Sequence, residues 1–348
     1  MKCILFCQNN YSFGILEPIK NYLLAKNHDY IWYINEKILP DFPFKNENHT
    51  TLISDLEHYK ADAIFVPGNE VPHYLHGLKV QVFHGLAGEK KGHFRIRHYF
   101  DLYLTQGPYF TKKFIDFKNK YQDFDVIETG WPKLDVYGTD LHRYDDEKMQ
   151  LLANFNAKKI LLYAPTFSPK LTSAPFLVDE LKALVKNPDY LVLLKFHPLM
   201  DKNWLDIYKN LADEIPNIIF ETEKNIIKFL LMADLMISDT SSVIYEFLLL
   251  NKPAITFKNI SENIVWENSF DYAQLIPLVE KNLSEDAFAK NRKEIFEQYH
   301  PYNDGKSAER MVEAVKNYIA KNGVPNKRKI SLFRRMKMHS LFGKPSKN

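Results

Sequence analysis

The sequence predicts an α/β protein built on two parallel sheets, and three observations carry that reading. Short apolar runs bounded by turn residues alternate with helical patterns along most of the chain. The alternation breaks at a charged stretch, Asp140 to Met149, and starts again at Lys159. Polar segments bearing Gly, His, Lys or Ser follow directly on the apolar runs, where open α/β sheets bind ligands.

In the first half, strands are expected at Cys3–Cys7, Tyr30–Ile34, Ala63–Val66, Lys79–Phe83, Leu102–Thr105 and Val126–Ile127. A helix is expected over Ile15–Ala25, with Pro18 tolerated in its first turn. After Pro132 the chain turns polar, which reads as a linker into a second domain. The second half gives strand Lys159–Ala164, helix Val178–Lys186, strand Tyr190–Phe196, helix Asn203–Ala212 and strand Ile218–Phe220. Helix Ile226–Met232 and strands Leu235–Ile237 and Ala254–Phe257 follow. Strands alternating with helices imply right-handed parallel crossovers, hence paired Rossmann-like domains facing across a cleft.

Composition agrees. A chain of 348 residues fits two domains of ordinary size, and 45% hydrophobic with 26% charged residues is the balance of a soluble globular protein. No apolar run approaches the roughly 18 residues of a membrane span. Cys3 and Cys7, on one face of the first strand, read as core residues of a protein in a reducing cytoplasm. The net charge of +3 is unevenly placed: residues 321–348 carry nine Lys and Arg and no acid, so the rest of the chain is net acidic at −6. That acidic body argues against nucleic acid as a partner. The basic tail, with apolar residues interleaved, suits an anionic inner membrane leaflet, although its apolar residues form no clean stripe on a helical wheel.

The richest segment runs from Ala233 to Phe257. A strand ends in Ser238-Asp239-Thr240-Ser241-Ser242, and a helix carrying Glu246 follows at once. Backbone N–H groups and the hydroxyls of Ser241 and Ser242 suit a diphosphate, and the carboxylates of Asp239 and Glu246 suit a nucleotide ribose. The plainer alternative is that Asp239 to Ser242 only cap the helix. Two strands end in histidine. His84-Gly85 opens a loop with Lys90 and Lys91, and Lys195-Phe-His197-Pro closes a buried strand. Imidazole can take a proton from an attacking hydroxyl, and Lys195 with His197 suits a phosphate gaining charge in the transition state. Weaker candidates are Gly130, Lys133 and Asp135 in a tight turn, Thr166 at a strand exit, and Arg310 in the helix that follows Asp304-Gly305. For these, a ligand contact and a purely structural role stand side by side. The chain has no Gly-x-x-x-x-Gly-Lys-[Ser/Thr], no Gly-x-Gly-x-x-Gly after its first strand, no Asp-x-Asp and no metal-ligand spacing. A transferase using fixed basic groups, with no metal and no cofactor, fits that pattern.

In order, these motifs resemble those of the CDP-glycerol glycerophosphotransferase family, the teichoic-acid primases and polymerases. They stand here as His84-Gly85, Gly130-Trp-Pro-Lys133-Leu-Asp135, Tyr163-Ala-Pro-Thr166, Lys195-Phe-His197-Pro, Asp239-Thr-Ser241-Ser242 and Asp304-Gly-Lys-Ser-Ala-Glu-Arg310, over residues 79–320. The resemblance implies a GT-B type fold and transfer of glycerol phosphate from CDP-glycerol to an acceptor hydroxyl, with release of CMP. It implies His84 as acceptor-side base, Lys195 and His197 on the phosphate under attack, and Ser241 and Ser242 on the diphosphate. Residues 1–145 would form the acceptor-side domain and 150–305 the donor-binding domain, with a closing helix at 306–322 and a basic, membrane-associated tail at 323–348. The expected partners are a CDP-linked polyol donor, a lipid-linked or glycan acceptor and the inner face of the cell membrane. Phe83, Thr240 and Glu246 depart from the family's usual Trp, Tyr and Asp, which leaves CDP-glycerol, CDP-ribitol or another nucleotide-linked donor open. A GT-B nucleotide-sugar glycosyltransferase or UDP-sugar epimerase-like enzyme is the alternative, and a non-catalytic scaffold a third reading.

Overall fold

The computed structural model describes residues 1–86, 93–261 and 264–346, which form two compact units. The first unit takes in Met1–His84, a segment ending at Thr139, and the chain from Gln298 onward; the second is built on Asp140–Glu297.

In the first unit the chain runs β1 (Lys2–Cys7), α1 (Tyr11–Ala25), β2 (Asp29–Ile34), β3 (His49–Thr50), α2 (Ile53–Tyr59), β4 (Ala63–Val66), β5 (Leu78–Gln81), β6 (Leu102–Thr105), α3 (Pro108–Tyr121), β7 (Asp125–Glu128) and α4 (Val136–Thr139). Among the described residues it holds one seven-stranded parallel sheet, in the order β3-β2-β1-β4-β5-β6-β7. β1 lies between β2 and β4 and is buried from Cys3 to Cys7, which is why it reads as an unbroken apolar run rather than an alternating one. Burial pushes the Cys3 thiol up to about 12, so it is a core group and not a nucleophile. α1 begins four residues earlier than expected, at Tyr11, and Pro18 therefore sits in the second turn, where it costs the helix the bond to the Gly14 carbonyl.

The second unit runs α5 (Asp145–Asn154), β8 (Lys159–Tyr163), α6 (Val178–Leu184), β9 (Tyr190–Leu194), α7 (Lys202–Glu214), β10 (Ile218–Phe220), α8 (Ile226–Met232), β11 (Leu235–Ser238), α9 (Val243–Leu248), β12 (Ala254–Phe257), β13 (Glu267–Ser269), α10 (Leu275–Ser284) and α11 (Ala289–Tyr299). Its sheet is six-stranded among the described residues and parallel, ordered β10-β9-β8-β11-β12-β13. The stretch expected as a linker is instead largely helical: α5 belongs to this unit and is tied to it by Lys148 to Asp234 at 2.8 Å. Leu161, Tyr163, Val192, Leu194, Leu235 and Ile237 form the centre of its core, with α6 and α10 packed against one face. Each fully buried side chain of this size contributes on the order of 1.5–3 kcal/mol.

The chain ends with α12 (Ser307–Asn322) and α13 (Leu332–Phe342), both part of the first unit. The basic tail is thus a docked helix: Met338 is fully buried in the first unit's core, with Ile330 and Phe342 packed beside it.

Candidate functional site

In the second unit, sheet register brings the expected phosphate groups to one rim. Tyr163 pairs with Leu194 and with Ile237, so the C-terminal ends of β8, β9 and β11 are level. Lys195 and His197 leave β9 there, Thr166 leaves β8, and the turn with Ser241 and Ser242 leaves β11. Lys195 is only 8% exposed, and burial lowers its pKa from the ordinary lysine value, with Glu221 and Glu223 pulling the other way. Two other lysines, buried Lys79 and half-buried Lys252, are satisfied by carbonyls: Lys79 donates to Leu75 and Gly77, and Lys252 donates to Leu230, Leu231 and Ala233. Among the described residues, no hydrogen bond engages the Lys195 ammonium. A buried cation without an acceptor suits an anionic ligand.

His197 is exposed and stacks on Phe167 with ring centroids 4.4 Å apart. The Leu199 N–H donates to its Nδ1 at 3.1 Å. Nδ1 is therefore the acceptor nitrogen, and the proton sits on Nε2. This is the donor form, suited to a phosphoryl oxygen.

The Asp239-to-Ser242 turn divides its labour. Asp239 is fully buried, and its carboxylate accepts from the Thr166 N–H (2.8 Å), the Ser173 N–H (2.8 Å) and the Ser173 hydroxyl (2.9 Å). This differs from the expected ribose contact. Asp239 positions the loop after β8, and with it Thr166. Asn259 donates to the Asp239 carbonyl and the Ile260 N–H to the Thr240 hydroxyl, bracing the turn from β12. Ser242, at the N-cap of α9, makes no side-chain cap bond to it. α9 has only six residues, so an anion here would rely on the turn's hydroxyls and amides more than on a helix dipole. Glu246 is buried on α9.

In the first unit, His84 is exposed at the exit of β5. Its Nδ1 lies 3.0 Å from the Pro67 carbonyl, an acceptor only, so Nδ1 carries the proton and Nε2 is the basic nitrogen. The arrangement is the reverse of His197 and suits a proton acceptor. Tyr11 stacks on the ring at 5.1 Å. Gln81 donates to the carbonyls of Val66, Pro67 and Gly68, fixing the loop that orients His84. Phe83, just before His84, is buried at a left-handed φ of 61°. Among the described residues, a Cβ built on Gly85 meets nothing within 4 Å. Lys90 and Lys91 lie outside the described residues. Tyr11, Gln81 and Phe167 were not singled out from sequence. The polar run Gln8-Asn-Asn-Tyr11 directly after β1 was the available signal for the first.

The remaining candidates are architectural. Asp135 accepts from the Ser307 N–H (2.8 Å) and the Ala308 N–H (2.9 Å), filling orphan donors at the start of α12. Burial pushes its carboxyl up, against the pull of those two amides. Arg310 donates to the Thr129 carbonyl (2.8 Å) and to Asp304 (2.7 Å) and lies over the Tyr302 ring at 4.3 Å. Gly130 has φ +84°, and a Cβ there would come within 2.5 Å of the Ser307 hydroxyl. A Cβ on Gly138 would come within 2.3 Å of the Gly305 nitrogen. The Trp131 N–H donates to Nε2 of buried His300 at 2.9 Å. Gly130 to Asp135 and Asp304 to Arg310 are thus two halves of one clasp returning the chain to the first unit. Lys133 lies at its edge, 5.3 Å from the Trp131 ring.

Residues 77–263 match the family model described as CDP-glycerol:poly(glycerophosphate) glycerophosphotransferase. The teichoic acid glycerol-phosphate primase of Bacillus subtilis (strain 168) is 27% identical over 217 residues, 57% of this chain and 53% of that protein. The teichoic acid ribitol-phosphate polymerase TarK of Staphylococcus aureus (strain NCTC 8325 / PS 47) is 26% identical over 298 residues, 73% of this chain and 56% of that protein. The chain thus spans about half the length of these curated relatives. The solved structure of the wall teichoic acid polymerase TagF aligns at a TM-score of 0.66 and 19% identity, over 92% of this chain and 89% of that one. That likeness bears out the expected GT-B type α/β fold.

Proposed function

The chain belongs to the CDP-glycerol:poly(glycerophosphate) glycerophosphotransferase family, and from that premise we propose that it moves glycerol phosphate, or a related polyol phosphate, from a CDP-linked donor to a hydroxyl of a cell-surface glycan or polymer. The acceptor oxygen attacks the phosphorus that bears the polyol. A new O–P bond forms as the bond to CMP breaks, CMP departs with the bridging oxygen, and Nε2 of His84 takes the acceptor's proton. Lys195 and the Nε2–H of His197 neutralise charge on the phosphoryl oxygens. Thr166, Ser241 and Ser242 hold the diphosphate, with Asp239 positioning their loops and Glu246 facing the ribose. The observation that carries this reading is Lys195, a buried ammonium at a strand end that no hydrogen bond among the described residues engages.

The reading extends to location: the cytoplasmic face of the cell membrane, where the lipid-linked acceptor and the anionic leaflet lie. No described helix is long and apolar enough to cross a membrane. Exposed cations of the tail such as Lys329, Arg335 and Lys344 would each contribute about 1 kcal/mol near an anionic surface.

Incubation with CDP-glycerol, CDP-ribitol and UDP-sugars plus acceptor tests the reaction. CMP release that His84→Ala and His197→Ala each abolish is the expected result. UDP release, sugar interconversion, or CMP release indifferent to both variants would overturn it.

A further inference from the structure

α13 has two apolar faces. Met338 is 0% exposed in the first unit's core, and Phe342, one turn on, packs on the same core and meets the Phe6 ring. On the other side Leu332, Phe333 and Met336 are 69, 78 and 63% exposed, while Leu341, 51% exposed, flanks the buried face. This is why the segment shows no single stripe on a helical wheel: two stripes share one short helix. Soluble surfaces carry single exposed apolar residues routinely, but three on one side of an eleven-residue helix form a patch.

The helix is held at both ends, so that patch has a fixed direction. Upstream, Arg328 donates to the His98 carbonyl and pairs with Asp101 and Asp123. Downstream, the Tyr74 hydroxyl donates to the Gly343 carbonyl at 2.9 Å. Lys329, Arg335 and Lys344 are exposed around it, and residues 321–348 contain no acid. The exposed apolar side chains are flanked by cations, and the segment stays net positive although Glu70 pairs with Lys337 and Glu57 accepts from Ser346; that complements an anionic bilayer interface better than a protein surface of mixed charge. The helix also touches the acceptor side. Lys337 donates to Glu70 at 2.8 Å, and Glu70 is three residues from Pro67, whose carbonyl orients His84.

Building on the membrane-side reading above, we propose that the outer face of α13, Leu332, Phe333 and Met336, is a preformed docking surface for an anionic bilayer, holding the loop that orients His84 at the depth where a lipid-linked acceptor presents its hydroxyl. No refolding is needed, because the opposite face already holds the helix on the first unit.

The test is flotation of the full chain with phosphatidylcholine vesicles with and without phosphatidylglycerol. Binding that needs the anionic lipid is expected. F333S/M336S should lower it at least about tenfold, and R335E/K344E should lower it in a salt-dependent way, both with the thermal midpoint unchanged. Wild-type chain that fails to float, or F333S/M336S that floats like wild type, overturns the proposal. Loss of self-association in F333S/M336S by sedimentation, without vesicle binding in wild type, overturns it in favour of a second copy as occupant. Flotation requires no turnover, so a failed CMP assay and a failed docking surface are separately visible. With both intact, F333S/M336S should slow transfer to a lipid-linked acceptor and spare a short water-soluble one.

Discussion

Lys195→Met and Lys252→Met remove the same group from the same unit and should have opposite consequences. Lys195 is buried and Lys252 half-buried, and desolvation pulls both down, Lys252 to about 8. Both substitutions therefore relieve the desolvation of a charge. They differ in what is left behind. Lys252 donates to the carbonyls of Leu230 (3.2 Å), Leu231 (2.5 Å) and Ala233 (2.7 Å) at the end of α8, and methionine leaves all three without that donor. At about 1 kcal/mol for each lost hydrogen bond, the cost is about 3 kcal/mol. Among the described residues, Lys195 leaves no such acceptor. Lys195→Met should thus leave the second unit about 3 kcal/mol more stable than Lys252→Met, and level with wild type or up to about 1 kcal/mol above it. Urea unfolding of the full chain, read by hydrogen exchange in peptides from β8 to β12, measures this. The same Lys195→Met should lower kcat for CMP release by about 10²–10³, the usual loss of one donor to a developing oxyanion. If Lys195→Met destabilises as much as Lys252→Met, the lysine is structural and the reasoning fails. If it is stable but turns over normally, the phosphate role fails alone.

Two further outcomes follow from buried groups. Asp239→Ala strands three donors, the N–H groups of Thr166 and Ser173 and the Ser173 hydroxyl, and should destabilise the second unit by about 4 kcal/mol while speeding exchange across 166–173; an effect below about 1 kcal/mol would show the loop is held otherwise. His300 is pushed down to about 4 by burial, so the unfolded chain binds its proton first: stability should fall as pH drops from about 6.5 towards 4, by up to about 3 kcal/mol from this residue, and His300→Gln should flatten that slope in a pH series of urea midpoints.

The sheets were legible because a parallel strand buried on both faces is written in consecutive residues. Lys159–Tyr163 and Ala63–Val66 need no partner to be recognised. β3, two residues long, and β13, three residues long with the sequence Glu-Asn-Ser, carry no such pattern; they are strands because β2 and β12 supply an edge. The placement of Lys195, His197, Thr166 and the serine turn on one rim was equally legible, since parallel strands all end at the same side.

What a carboxylate does at that rim was not legible, because its role is set by donors distant in sequence. Asp239 takes its three from residues 166 and 173, and Asp135 takes its two from 307 and 308. In the sequence both look like ligand contacts. In the fold Asp135 accepts from two backbone amides and Asp239 from two amides and the Ser173 hydroxyl. The protonation of His84 and His197 follows the same logic. The Pro67 carbonyl can only accept and the Leu199 amide can only donate, so His84 is left with a basic Nε2 and His197 with a proton-bearing one. Motif spelling identified two similar histidines at strand ends; the backbone beside each sets which ring nitrogen carries the proton.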